Sequence, residues 1–202
     1  MLRINEYSNF FIKKSFNLPQ YKYKKSKKIV EKRDNLFYEI FHKINNTDIS
    51  SYTYKQYNEL QEKTKISEGI NNLKIKNKEY ILNNLMYEPN ISLITLNAIC
   101  KYYKINLIYV NDNICVKMCY DDNLPMIINN ENKFLNMSMD EINDKYEIIN
   151  LEKPLNSVSY YKLNELVEYA HKLKLPYEKI KKTDLYNSIY NYLVKLNIFK
   201  ID

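Results

Sequence analysis

The stretch Ser92 to Tyr120, SLITLNAICKYYKINLIYVNDNICVKMCY, changes its period half-way along, and that change decides the fold class. Leu93, Leu96, Ile99, Cys100 and Tyr103 recur at helical intervals, and Ser92 offers a hydroxyl to cap the helix start. From Ile105 the period falls to two. Ile105 to Val110 reads as a strand, Asn111-Asp112-Asn113 as a turn, and Ile114 to Tyr120 as the hairpin partner, with Cys115 and Cys119 on one face.

On the C-terminal side, Pro125–Asn129, Lys133–Met137 and Tyr146–Leu151 read as further short strands joined by Asn-rich turns, which predicts an antiparallel meander. On the N-terminal side, Lys78–Tyr87 reads as a helix with Ile81, Leu82, Leu85 and Met86 inward, ended by Pro89. Asp34 is placed to cap an earlier helix whose stripe is Leu36, Phe37, Ile40, Phe41 and Ile44. Polar sequence from Asn45 to Lys65 predicts a loop, with at most a short helix near Tyr54–Lys63, and Gly69 stands among turn-type residues.

Pro154 and Ser157 mark a boundary. Beyond it Ser159 is expected to cap a helix carrying Leu163, Leu166, Val167, Ala170 and Leu173 on one face. An extended piece, Lys174–Lys181, separates it from a last helix with Leu185, Ile189, Leu193 and Leu196 aligned. The expectation is an α+β fold: helices followed by a small antiparallel β-meander, plus a C-terminal two-helix module. The segments are a basic arm (1–33), an α+β domain (34–153) and the helical module (154–202).

The chain has 202 residues and 45% hydrophobic content, so a core can form without disulfide support. Lys, Asn, Ile and Tyr abound while Ala and Arg are scarce, which is the signature of AT-rich codons. Lysine and tyrosine therefore carry weight here only by position. The net charge of +7 sits almost wholly in the arm: Met1 to Arg33 holds ten Lys or Arg against two Glu. Its Lys24, Lys25, Lys27 and Lys28 make a salt-sensitive handle for nucleic acid, or equally a solvated tail. Three cysteines in no framework spacing point to reduced thiols and an internal compartment. The N-terminal residues lack the apolar core of a signal peptide, and no stretch nears the ~20 apolar residues of a membrane span.

Little in the sequence supports catalysis. A single glycine rules out a Gly-rich phosphate loop. His42 and His171 fall on different helices without metal-ligand partners at a known spacing. Cys115 and Cys119 are not a CxxC pair and read as apolar hairpin residues; Cys100 reads as core. A Cys100–His42 dyad has nothing in its favour. The acidic pairs Asp121-Asp122 and Asp140-Glu141 read as solvated turns or helix caps. No catalytic residue, metal ligand or cofactor is assigned.

The C-terminal pattern is more informative. Leu163-Asn-Glu165-Leu166-Val-Glu-Tyr-Ala170-His-Lys-Leu173-Lys-Leu175, then Lys181-Lys182-Thr183-Asp184-Leu185-Tyr186 and Ile189, resembles the SAP motif and the N-terminal module of the Rho transcription terminator. Both are small helix–extended–helix units. The resemblance implies that Lys179, Lys181, Lys182 and Thr183, with Lys162 near the first helix start, face a phosphate backbone. Free N–H groups and the positive end of a helix dipole favour an anion at such a place. Where many SAP motifs carry glycine before the key lysine, Ile180 or Lys181 stands here, which limits close backbone approach. A protein-docking appendage is the competing reading.

A wider pattern runs from Asp34-Asn35-Leu36-Phe37-Tyr38 through the Leu93–Tyr103 helix and Ile105-Asn-Leu107-Ile-Tyr109. It ends in Lys153-Pro154-Leu155, Ser159-Tyr160-Tyr161-Lys162-Leu163 and the Lys-Lys-x-x-Leu-Tyr helix. It is similar to uncharacterised proteins of large nucleocytoplasmic DNA viruses over most of Asp34–Leu193. In that family Trp-Cys often follows the Leu-Phe; Tyr38-Glu39 stands here, so a papain- or OTU-like nucleophile at this place is lost. The resemblance implies a viral protein of the host cytoplasm, viral factory or virion interior. Nucleic acid, DNA or RNA, is the expected partner. A structural adaptor docking a viral protein and a degenerate cysteine-peptidase-like domain are the alternatives.

Overall fold

Asp34 is buried and its carboxylate joins three segments of the chain. Oδ1 accepts the Phe37 N–H at 3.1 Å, capping α1 (Asn35–Asn45), whose Leu36, Phe37 and Ile40 turn into the core. Oδ2 accepts the Ile91 N–H at 2.9 Å and the Lys63 ammonium at 3.2 Å. Lys63 in turn reaches Glu59 at 3.0 Å and lies over the Phe37 ring. One buried carboxylate thus ties together α1, α2 (Gln56–Asn71) and the segment before α4 (Leu93–Tyr103). The computed structural model describes residues 34–45, 56–196 and 198, all within one compact unit spanning 32–202.

Helix α2 corrects the expected loop between Asn45 and Lys65: it starts at Gln56 and runs through Gly69. Its inward residues, Lys63, Ile66 and Ile70, include a cation whose buried partner Asp34 is distant in the sequence, so the apolar stripe is short. Gly69 is not a turn residue. A Cβ there would fall within the Tyr102 ring of α4, so the glycine is what lets the two helices approach. Helix α3 (Lys78–Tyr87) has the predicted bounds. Its Asn84 is buried and accepts from Ser92 N at 2.8 Å and Thr95 Oγ1 at 2.5 Å, joining α3 to the start of α4. Ser92 caps α4 as expected, accepting the Thr95 N–H at 3.2 Å.

The sheet is mixed, which corrects the antiparallel meander. Strands β1 (Leu107–Asn111) and β2 (Ile114–Met118) form the antiparallel hairpin. Strand β3 (Met126–Asn129) then lies on the far side of β1 and parallel to it, Leu107 opposite Met126. Strand β4 (Phe134–Leu135) is antiparallel to β3, and β5 (Tyr146–Glu147) is parallel to β2, giving the order β4-β3-β1-β2-β5.

The cause lies in Asn106, one residue before β1. Its amide donates to Asp121 O (3.0 Å), Asp121 Oδ1 (2.7 Å) and Asn123 O (2.6 Å) and accepts from Tyr120 N (2.6 Å) and Asp121 N (3.0 Å). The chain leaving β2 is wound round the head of β1, and the Met126 N–H then bonds Asn106 O. The hairpin partner stops at Met118 for the same reason: Cys119 is exposed and does not share a buried face with Cys115.

Side chains alternate across the sheet. Leu107, Tyr109, Ile114, Val116, Met118 and Ile128 join the main helical core. Ile108, Val110, Cys115 and Ile127 face the other way and are closed over by Ile142 of α5 (Met139–Asn143). That short helix falls in the expected turn between Met137 and Tyr146; Ser138 and Glu141 cap it reciprocally, so Glu141 has a helix-capping role. The C-terminal helices α6 (Leu163–Lys172) and α7 (Lys182–Lys195) bury Leu166, Ala170, Leu173, Leu185, Ile189 and Leu193 in the same main core. Lys172 donates to Asn143 O at 2.9 Å, and the Tyr146 and Tyr169 rings meet edge to face at 5.0 Å. Ser159 does not cap α6; it lies in a 3₁₀ turn, Val158–Tyr160, and Lys162 takes the cap position.

Candidate nucleic-acid interface

The segment before α6 packs against the first part of α7. Tyr161, immediately before α6, has its ring 6.4 Å from that of Tyr186 in α7, and the Tyr186 hydroxyl donates to Asn156 O at 2.7 Å. Ten residues of α6 span roughly 15 Å, and residues 173–181 are enough to run back along it. Left-handed Lys174 and Lys179 bend that connection, in place of a uniformly extended piece. Lys162 and Lys181 occupy the cap positions of the two helices.

The two starts differ in what they leave open. At α6 the Lys162 N–H already donates to Glu165 Oε2 at 2.6 Å, and a lysine side chain has no acceptor for the helix's first N–H groups. At α7 no side chain caps the helix, so the first-turn N–H groups of Lys182, Thr183 and Asp184 have no side-chain acceptor at the cap. Lys179, Lys181 and Thr183 are exposed and Lys182 is half-buried. Among the described residues none of Lys162, Lys179, Lys181 and Lys182 takes part in an ion pair. Asp184, in the first turn of α7, is the opposing charge at this end. The arm lysines Lys24, Lys25, Lys27 and Lys28 lie outside the described residues.

Two concavities escaped the sequence reading. A groove of about 380 Å³ is floored by Ile81, Ala98 and Val116, and Lys74, Lys76 and Lys101 stand on its wall. Its carboxylate, Glu152, accepts from Asn77 at 2.8 Å, and Lys117 is spent on Glu147 at 2.9 Å. A cleft of about 520 Å³ lies between β5 and α6, lined by Tyr146, Tyr160, Tyr161 and Tyr169. These rings meet edge to face in a chain from Tyr160 to Tyr146, with centroids 5.1, 5.8 and 5.0 Å apart. Residues 148–150 form a wall common to both. The alternation Lys74-x-Lys76 was a signal in the sequence, but its partner Lys101 comes from α4 and no local pattern links them.

Two of the three thiols are buried. Burial pushes the Cys100 thiol up to about 12, and burial likewise raises Cys115, so both are protonated at neutral pH. Cys119 is exposed. Glu39 is half-buried on α1. His42 packs against the Tyr38 ring at 4.1 Å, while His171 meets Tyr177, so the histidines serve different neighbourhoods. Among the described residues no three or more His, Cys, Asp or Glu side chains gather to hold a metal ion, and no helix is long and apolar enough to cross a membrane.

Compared with protein-family models, curated proteins and solved structures, the chain matches none.

Proposed function

We propose that this chain is a non-enzymatic nucleic-acid-binding protein of a large DNA virus, acting in transcription, genome packaging or the virion interior. It works in the host cytoplasm or viral factory and binds phosphate through the basic arm and the C-terminal helix pair. The observation that carries the reading is the start of α7, which no side chain caps and which carries Lys181 at its cap position, Lys182 in its first turn and exposed Lys179 just before it. A phosphate there gains the helix dipole and the lysine charges together.

Salt-dependent gel shifts test it. Lys181→Glu with Lys182→Glu should weaken binding about equally for all sequences, as phosphate contacts do, without unfolding the protein. Deleting residues 1–28 should lower affinity further and flatten the salt dependence. Binding unmoved by both changes would refute the reading. The second reading, a docking adaptor, draws on Leu163, which is 45% exposed at the start of α6. Charge reversal that spares nucleic acid but abolishes a viral protein partner would favour it.

A further inference from the structure

The basic groove and the tyrosine cleft are neighbours, and together they form a track with two unlike halves. The groove half is electropositive: Lys74, Lys76 and Lys101 line it, and its Glu152 is engaged by Asn77. The cleft half is aromatic: Tyr160 is 70% exposed while Tyr161 and Tyr146 behind it are buried, so one ring is presented on a fixed backing. Ile149, 91% exposed, stands on the wall between the halves. It lines the same cleft as Tyr160 and adds apolar surface to that of the ring.

We propose that this track binds a single-stranded nucleic acid, its backbone along the lysine groove and unpaired bases against Tyr160 and Ile149. Duplex is disfavoured because its bases are already stacked and their faces are hidden. A strand with free bases gains both the charge and the π-face, a combination that is tolerant of sequence. In the cleft Glu147 and Glu168 are balanced by Lys153 and Lys172, whereas the lysines of the groove outnumber its one carboxylate, which sets the backbone on the groove side and the bases on the tyrosine side. The inference rests on the nucleic-acid reading above but on residues apart from the α7 start.

The test uses the full chain and fluorescein-labelled dT20, rU20 and a 20-base-pair duplex, followed by anisotropy between 50 and 200 mM salt. Tyr160→Ala should lower affinity for the single strands by about tenfold, leave the duplex unchanged, and be rescued by Tyr160→Phe. Replacing Lys74, Lys76 and Lys101 with glutamine should reduce the single-strand salt slope by about 0.7 for each phosphate no longer neutralised. The difference between dT20 and rU20 decides which strand chemistry is preferred. If all three ligands bind, respond to the Lys181/Lys182 reversal and ignore Tyr160 and the groove lysines, the track is refuted and the phosphate reading stands. If no ligand binds, both are refuted.

Discussion

Replacing Asn106 with alanine removes the pin that turns the chain from β2 across the head of β1. The side chain is 6% exposed and joins three acceptors and two donors of the segment Tyr120 to Asn123. Asp121 and Asn123 are exposed, so water can satisfy part of what is left behind. The Tyr120 N–H, half-buried and 2.6 Å from the amide oxygen, is less easily rehydrated. Counting about 1 kcal/mol for each of two well-placed bonds and a further 1–2 for the stranded donor, the change should cost about 3–4 kcal/mol. Asn106→Asp keeps the acceptors but sets a carboxylate against Asp121 Oδ1 and two carbonyls, so it should be no milder at neutral pH. Urea titration followed by circular dichroism measures the loss as a lower midpoint with unchanged slope. Amide exchange at Tyr120, Asp121 and Met126 should quicken first. A loss under 1 kcal/mol, or exchange that is no faster at those amides than elsewhere, would refute the role given to Asn106.

Other expected outcomes follow from single sites. Leu166→Ala, at a fully buried position of α6, should cost about 2–5 kcal/mol in the same urea assay. Gly69→Ala should lose about 1–3 kcal/mol by forcing the Tyr102 ring aside, and combining it with Tyr102→Ala should recover that loss, because alanine is otherwise the better helix residue. A thiol reagent should label Cys119 at once, with Cys100 and Cys115 reacting only in denaturant; prompt labelling of three thiols in the native protein would contradict their burial. Alkaline stability should fall in a definite window. Cys100 and Tyr103 are raised to about 12 chiefly by burial, so the native state holds protons that the unfolded chain releases at lower pH. Their stabilisation is complete below pH 9 and is lost as pH climbs toward 12, which a urea-midpoint series across that range would show.

Where local pattern and burial agree, the elements were legible. The bounds of α3, the Ser92 cap of α4 and the β1–β2 hairpin all follow from periodicity and turn chemistry. Helix α2 was hidden because one of its inward residues is Lys63, whose partner Asp34 is 29 positions away. The parallel pairing of β3 was hidden because it depends on one asparagine side chain, and short strands joined by Asn-rich turns read equally well as a meander. At the candidate interface, the lysines of α7 were placed correctly at a helix start, whereas the α6 start proved to be occupied by Glu165. The lysine groove and tyrosine cleft were invisible, since each is assembled from elements distant in sequence.

The strand order has a consequence for life at high concentration. The segments richest in isoleucine, valine and tyrosine, β1, β2 and β3, occupy the three inner places of the sheet. Both outer places fall to two-residue strands, β4 and β5. An edge that short offers too few free N–H and C=O groups to template another chain. A sequence pushed by its codons toward strongly β-forming residues thereby keeps its stickiest strands out of reach of its own copies.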